Sequence, residues 1–245
     1  MTTNYDDIAV EYQRAKQQPW RLHLEHYTLF KLLGVVTGKT VLDLACGAGF
    51  YTRFLKRRGV ARVVGVDLSP GMIALARQEE AGDPLGIDYL VRDVKQLALD
   101  ETFEVVVAAY LLNYARTAAE LLQMGTAIIR HLKPGGRFVT VNNNPRHAVE
   151  YFASTRPYGF IKHTQGPLRE GTPVDYIFFL EQESFAITNY HLSVATHEAA
   201  LHTAGFQQVT WREPELSPEI VETTERQYWA EFLAHPPMVF LECTH

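Results

Sequence analysis

The stretch VLDLACGAGFYT, residues 41–52, decides the fold. Residues 41–45 form a short apolar run that predicts a buried β-strand. Gly47 and Gly49 follow and predict a tight turn, because glycine adopts backbone conformations that other residues avoid. Residues 50–58 have a helical pattern. A strand, a glycine turn and a helix in this order are typical of a parallel α/β sheet whose backbone approaches a ligand closely.

The glycine turn does not fit a dinucleotide. The dinucleotide fingerprint G-x-G-x-x-G would need a third glycine where the sequence has Thr52. Asp43, at the end of the first strand, would also repel a pyrophosphate. A carboxylate at this place suits a ligand with an ammonium group, and S-adenosylmethionine (SAM) carries an α-amino group, a sulfonium and no phosphate. The pattern therefore favours SAM and disfavours an NAD-dependent oxidoreductase.

Positions further along the chain extend this pattern. Asp67 ends the second predicted strand, residues 63–66, where an acidic residue can accept both ribose hydroxyls. Met72 lies just inside the next helix, where it can pack on an adenine face. Asp93 follows the third strand and can accept from the adenine amino group, while Val94 can supply a backbone N–H.

Taken together, these segments resemble the class I SAM-dependent methyltransferases. The resemblance spans residues 41–141 and rests on D-x-x-C-G-x-G at 43–49, V-G-V-D-x-S at 64–69, R-D-V at 92–94 and L-K-P-G-G at 132–136. It implies a methyl-transferring enzyme with a Rossmann-like, mostly parallel sheet of seven strands, the last antiparallel. The predicted cofactor-binding residues are Tyr12, Asp43, Ala45, Gly47, Gly49, Asp67, Leu68, Met72, Asp93, Val94 and Tyr110.

Outside this core, strand-like and helix-like segments continue to alternate, which favours a single α/β domain. We expect N-terminal lid helices in 1–37, the SAM-binding core in 38–141, an acceptor-side insertion after strand 5 in 142–193, and the C-terminal part of the sheet in 194–245. Strands are predicted at 41–45, 63–66, 87–91, 104–109, 138–141, 209–212 and 238–243, with a hairpin at 176–180 and 185–192. Helices are predicted at 5–12, 22–33, 50–58, 118–132, 194–204 and 218–233, and one more begins at Pro70.

The lid and the segments after the fourth and fifth strands supply the predicted acceptor site. Residues 5–12, Y-D-x-I-A-x-x-Y, resemble the lid start of small-molecule methyltransferases, which implies that Tyr12 closes over the methionine end. Residues 110–114 lack the (N/D)-P-P-Y motif of enzymes that methylate exocyclic amines of nucleic acids and glutamine, which disfavours those acceptors. The predicted acceptor-binding residues are Tyr5, Trp20, Arg21, Tyr114, Asn142, Tyr158 and Tyr190, although packing is an open alternative for each aromatic ring.

A general base is needed only if the acceptor keeps its proton. His191 is the predicted base, with His163 as an alternative, because histidine titrates near neutral pH. No metal is predicted. The segment HEAALH at 197–202 has one residue too many for the zinc motif H-E-x-x-H. Cys46 and Cys243 are too few for a four-cysteine zinc site or a disulfide scaffold.

One subgroup resembles the chain over several segments. Y-D-D-I-A, G-F-Y-T-R, G-M-I-A-L-A-R and P-P-M-V-F-L-E-C look like the methyltransferases of toxoflavin-type azapteridine biosynthesis, which N-methylate a fused pyrimidotriazine ring. The resemblance implies a small planar heterocycle as acceptor. Alternatives are O- or N-methylation of another small metabolite, methylation of RNA, and a SAM-binding protein without catalysis.

Composition limits the partners. The chain has 245 residues and a net charge of −5, without the basic excess typical of nucleic-acid binding proteins. Its longest apolar run, residues 105–112, is far shorter than the ~20 residues of a membrane helix. Residues 1–7 are polar and acidic, unlike a signal peptide. We therefore expect a cytoplasmic monomer or weak homodimer that binds a small molecule, without nucleic-acid or membrane partners.

Overall fold

A seven-stranded sheet forms the centre of the protein. The computed structural model describes residues 5, 8, 14–180, 183–220 and 223–245. The strands of this sheet are β1 (Thr40–Leu44), β2 (Arg62–Asp67), β3 (Asp88–Val91), β4 (Phe103–Ala109), β5 (Leu132–Asn143), β9 (Gln208–Arg212) and β10 (Met238–Thr244), and β6 (Phe160–His163), β7 (Thr172–Leu180) and β8 (Glu183–His191) form a second sheet. The order of the first is β3-β2-β1-β4-β5-β10-β9. Only β10 is antiparallel to its neighbours, so the predicted fold is confirmed.

Helices pack on both faces of this sheet because its central strands are apolar on both. In β4, Val105 and Val107 belong to one buried apolar cluster, whereas Val106 and Ala108 belong to the other. This is the alternation expected of a strand covered on both sides. The helices are α1 (Tyr27–Leu33), α2 (Phe50–Arg57), α3 (Pro70–Gly82), α4 (Ala118–Arg130), α5 (Val194–Ala204), α6 (Thr223–Tyr228) and α7 (Ala230–Ala234).

The strand order reverses between β1 and β4, which lie side by side. In such sheets the crevice beyond the carboxyl ends at the reversal is where ligands bind. Both strands end in an unusual backbone conformation, since Ala45 after β1 has φ 55° and Tyr110 after β4 has φ 66°. Positive φ is uncommon for residues other than glycine and is often found at functional sites.

The second sheet packs its apolar face against the segment that contains Trp20. The predicted hairpin is present as β7 and β8, whereas β6 was not predicted because its segment lacks a clear period. Phe160, Tyr176 and Phe178 are buried in one stack of rings on the inner face of this sheet.

Three further predictions of secondary structure were wrong in detail. The predicted helix 22–33 begins as a π-helical turn, Arg21–His26, before α1. Residues 133–136, which separate the predicted helix 118–132 from the predicted strand 138–141, lie inside β5, where the pairing is irregular between the pairs Phe103–Leu132 and Val105–Arg137. The predicted helix 218–233 is two short helices, α6 and α7, separated at Trp229, which is buried.

Most of the predicted helix 5–12, including Tyr12, lies outside the described residues. Within the described ranges, no helix has the length and apolar character needed to cross a bilayer.

Candidate functional site

A cavity of about 350 Å³ lies at the carboxyl ends of β1, β2 and β4. Its walls come from the loops that follow these strands and from the turn after β3. Most of the predicted cofactor-binding residues line it, namely Ala45, Gly47, Asp67, Leu68, Met72, Asp93, Val94 and Tyr110. The motifs are far apart in the sequence, and the parallel sheet brings them together because it collects the carboxyl ends of its strands on one side.

Asp67 is held by two backbone N–H groups. Gly47 donates to its Oδ2 at 2.8 Å, and Ser69 donates to its Oδ1 at 2.9 Å. Both oxygens of the carboxylate are therefore fixed in direction while the side chain lines the cavity. A carboxylate positioned in this way can accept hydrogen bonds from a vicinal diol.

The opposite part of the cavity is shaped by two capped turns. The Ser69 hydroxyl accepts from the backbone N–H of Met72 at 3.0 Å, and Met72 is 1% exposed. Asp93 accepts from the backbone N–H of Lys95 at 2.9 Å, which directs its carboxylate at the rim of the cavity. The thioether of Met72 offers an apolar surface to a flat heterocycle, and the carboxylate of Asp93 offers it a hydrogen-bond acceptor.

A second cavity of about 260 Å³ continues from the first along β1, sharing Ala45, Gly47 and Ala109 with it. Asp43 lines this second cavity and is 1% exposed. Burial raises the pKa of Asp43 to about 7, although the hydrogen bond from the Thr52 hydroxyl, at 2.5 Å, acts in the other direction. A carboxyl group of this kind ionises readily when a cation binds beside it.

The two glycines of the turn have different roles. Gly47 has φ 57°, lines both cavities, and a Cβ there would meet no atom within 4 Å. Gly49 lines neither of them. Gly49 has φ 83°, and a Cβ there would lie 2.3 Å from the hydroxyl of Tyr89, so both its backbone conformation and its packing require glycine.

Tyr110 separates the large cavity from a third, aromatic cavity. Its side chain lines both, and its hydroxyl donates to Glu25. Tyr5 and Tyr114 also line both cavities, and their hydroxyls are hydrogen-bonded to each other. The three phenols thus form the boundary at which ligands in the two cavities would meet.

Most of the predicted acceptor-binding residues line this aromatic cavity, which lies under the second sheet. Tyr5, Trp20, Arg21 and Tyr114 are joined there by Tyr110, Asn143, Phe160, Tyr176, Phe178, Ile187, Asn189, Pro237 and Met238. The free space is only about 30 Å³. A cavity that holds benzene has about 150 Å³, so these side chains must move apart before a ring can bind.

Three predicted acceptor residues do not line the aromatic cavity, and two of them, Asn142 and Tyr158, are buried elsewhere. Asn142 is buried on the other face of β5, and the side chain that reaches the aromatic cavity is that of the next residue, Asn143. Tyr158 is 5% exposed, donates from its hydroxyl to the carbonyl of Tyr228 at 2.7 Å, and stacks on Trp229. Tyr158 therefore has the bonding of a core residue, whereas the buried amide of Asn142 has no hydrogen-bond partner among the described residues.

A polar cavity adjoins the aromatic one and shares Asn143, Tyr176 and Asn189 with it. The predicted residues Tyr190 and His191 line this polar cavity. Burial lowers the pKa of His191, while the charge of Glu170 opposes this effect, so the imidazole is neutral at neutral pH. His163 is exposed on β6 and lines neither cavity.

The sequence did not reveal a buried cluster around Glu25, which is 0% exposed. Arg21 Nη1 lies 2.9 Å from its Oε2, Lys16 Nζ lies 3.8 Å from its Oε1, and the hydroxyls of Tyr51 and Tyr110 donate to it. Burial alone would raise the pKa of Glu25, but these cations and phenols hold it below its ordinary value. The i, i+4 spacing of Arg21 and Glu25 was the signal in the sequence from which this ion pair could have been predicted. The cluster fixes Tyr110 between the cavities.

Comparison with known proteins agrees with this geometry. Residues 41–136 match a methyltransferase domain family. Over 146 residues the chain is 30% identical to the ubiquinone biosynthesis O-methyltransferase of Coxiella burnetii, covering 57% of this chain and 61% of that protein. The chain therefore spans about three fifths of the length of the curated relatives it matches.

Solved structures resemble the protein over most of its length. A SAM-dependent methyltransferase from Mesorhizobium loti is 25% identical with a TM-score of 0.63, covering 90% of this chain and 97% of the other. A complex of DhpI with SAM and HEP shares the fold at 19% identity, with a TM-score of 0.61 and coverage of 98% and 93%. The matches confirm the predicted fold, and none of these three proteins is named for an azapteridine.

Proposed function

We propose that the protein transfers the methyl group of SAM to a small planar acceptor bound in the aromatic cavity. The observation that carries this proposal is the shared wall, because Tyr5, Tyr110 and Tyr114 line both the SAM-sized cavity and the aromatic cavity. The sulfonium already activates the methyl group, so transfer is an in-line displacement that depends mainly on proximity and alignment.

The cofactor is assigned residue by residue within this proposal. Asp67 accepts the ribose hydroxyls, Met72 packs on the adenine, and Asp93 accepts from the adenine amino group. Asp43, in the second cavity, faces the ammonium group of the methionine part. The hydrogen bonds that fix the Asp67 and Asp93 carboxylates support these roles.

For the acceptor, we propose a toxoflavin-type azapteridine methylated on a ring nitrogen. Support comes from the amides of Asn143 and Asn189, which meet at 2.9 Å in a cavity otherwise lined largely by aromatic and apolar side chains. Aromatic rings hold a planar ligand, while amides match the alternating donors and acceptors at the edge of a heterocycle. The neutral His191 is the proposed base for an acceptor that keeps its proton.

O-methylation of another small metabolite is a second candidate, because the curated relatives are named O-methyltransferases. A phenol represents this candidate in the test below. RNA is disfavoured by the net charge of −5. We further propose a cytoplasmic monomer or weak homodimer.

The test is transfer of labelled methyl from SAM to a demethylated azapteridine and, in parallel, to a dihydric phenol, with products identified by mass spectrometry. We expect label on the azapteridine ring nitrogen. Label only on the phenol would move the proposal to the second candidate. Label on neither, in a protein that binds SAM, would contradict the acceptor class.

A further inference from the structure

Lys162 is a buried cation without a carboxylate partner. It is 6% exposed, and it lines the polar cavity. Its Nζ lies 3.0 Å from Nδ1 of His147 and over the rings of Phe152 and Tyr176, at 4.4 and 5.2 Å. In the parts of the chain that the structure describes, no carboxylate oxygen comes within 4 Å of this ammonium group. A buried charge without a counter-charge is costly unless a ligand supplies one.

The same cavity has a buried donor without a hydrogen-bond partner. Asn113 is 4% exposed; its Oδ1 accepts from the backbone N–H of Asn143 at 3.0 Å, whereas its Nδ2 has no hydrogen-bond partner in the described structure. One N–H of the Asn143 amide is already used, since its Nδ2 donates to Oδ1 of Asn189. Lys162 and Asn113 thus both have N–H groups left to donate to a ligand.

We propose that the polar cavity binds a carboxylate carried by the acceptor, with Lys162 and Asn113 as its donors. This inference rests on the proposed function, because the polar cavity adjoins the aromatic one and shares Asn143, Tyr176 and Asn189 with it. The acceptor is then a planar ring with an acidic substituent. The ring occupies the aromatic cavity and the carboxylate occupies the polar one, which sets the edge of the ring that faces Tyr110.

The titratable groups that face Lys162 make this subsite sensitive to pH near neutrality. Burial lowers the pKa of Lys162 to about 7. Burial and the Lys162 charge lower the pKa of His147 to about 3, and burial lowers those of His191 and His197, both of which also line the cavity. These imidazoles are neutral at neutral pH, so the positive charge of the cavity comes from Lys162. A bound carboxylate stabilises the ammonium form.

The probes are 2-naphthoate and 2-naphthamide, which share one planar ring system and differ in charge. Each is titrated calorimetrically into the protein saturated with S-adenosylhomocysteine. We expect naphthoate to bind roughly 10-fold or more tightly than naphthamide at about pH 6. The advantage should fall at about pH 9, where Lys162 is neutral and naphthoate is still ionised.

Variants locate the effect. Lys162→Met should abolish the preference for naphthoate while leaving naphthamide affinity within about 2-fold, and Lys162→Arg should keep part of it. Lys133→Met removes a half-exposed lysine and should change nothing. The inference is overturned if the wild type shows no preference, if it binds neither probe, or if Lys162→Met retains the preference. The pH series decides the matter in the wild type even if Lys162→Met does not fold.

The titration with S-adenosylhomocysteine separates this inference from the proposed function. If that compound does not bind, the proposed function fails whatever the probes do. If it binds and naphthoate has no advantage, only the acidic subsite is refuted.

Discussion

Replacing Asp43 by asparagine should change how the stability of the protein depends on pH. Burial raises the folded pKa of this carboxyl from 3.8 to about 7. Between these two values the folded state holds a proton that the unfolded state has lost. The contribution of Asp43 to the free energy of unfolding is therefore fully present below about pH 4 and is lost as the pH rises through about 7.

The magnitude follows from the shift. A change of one pKa unit corresponds to about 1.4 kcal/mol, so Asp43 lowers the free energy of unfolding by at most about 4 kcal/mol between about pH 4 and pH 8. Asparagine has nearly the same shape, and its Oδ1 can accept the Thr52 hydroxyl that now donates to the carboxyl group. The variant should therefore fold with the Thr52 contact intact and without this loss.

The assay is urea unfolding followed by tryptophan fluorescence at a series of pH values. Other carboxyl groups, such as Glu25 and Glu80, have lowered pKa values, so their contribution to the free energy of unfolding grows as the pH rises. The informative quantity is therefore the difference in the free energy of unfolding between wild type and variant at each pH. That difference should move in favour of Asp43→Asn as the pH rises. Parallel pH profiles of the free energy of unfolding in wild type and variant would refute the raised pKa of Asp43. Under the proposed function, S-adenosylhomocysteine should also bind the variant more weakly at pH 8, because its ammonium group loses a carboxylate.

Three further outcomes are expected. Asp67→Asn should weaken S-adenosylhomocysteine binding by about 1.5–3 kcal/mol, roughly 10- to 150-fold by calorimetry, and unchanged affinity in a folded variant would contradict the ribose assignment. Gly49→Ala should cost about 1–3 kcal/mol more in chemical unfolding than Gly86→Ala, because both positions have positive φ but only the Cβ at Gly49 clashes with Tyr89. Equal effects would refute the packing role of Gly49. Glu25→Gln should cost about 3–5 kcal/mol because it leaves Arg21 buried without its carboxylate, and an unchanged free energy of unfolding would show that the cluster is not held by this charge.

The cofactor side was accessible from the sequence because its residues sit in short local motifs. Asp67 and Asp93 each follow a strand that periodicity reveals, and a parallel sheet gathers such positions without further information. The place of Gly47 in the turn follows from the same logic. The turn also predicts the positive φ of Gly49, but not its close approach to Tyr89, a residue on another strand.

The acceptor side was only partly accessible, because its residues come together through tertiary contacts. Which of Asn142 and Asn143 faces the cavity depends on the register of β5, and a shift of one residue reverses the two. Tyr158 is buried because its ring stacks on Trp229, a residue far along the chain. Lys162 and His147 meet only when β6 folds beside the loop after β5, in a stretch without clear periodicity.

The most direct test of the central claim is calorimetric titration of the wild-type protein with S-adenosylhomocysteine, with NADH as the matched control. The proposed SAM site predicts micromolar binding of S-adenosylhomocysteine and no binding of NADH. Binding of NADH alone would contradict the cofactor assignment. Failure of S-adenosylhomocysteine to bind, both alone and together with an azapteridine, would contradict it as well.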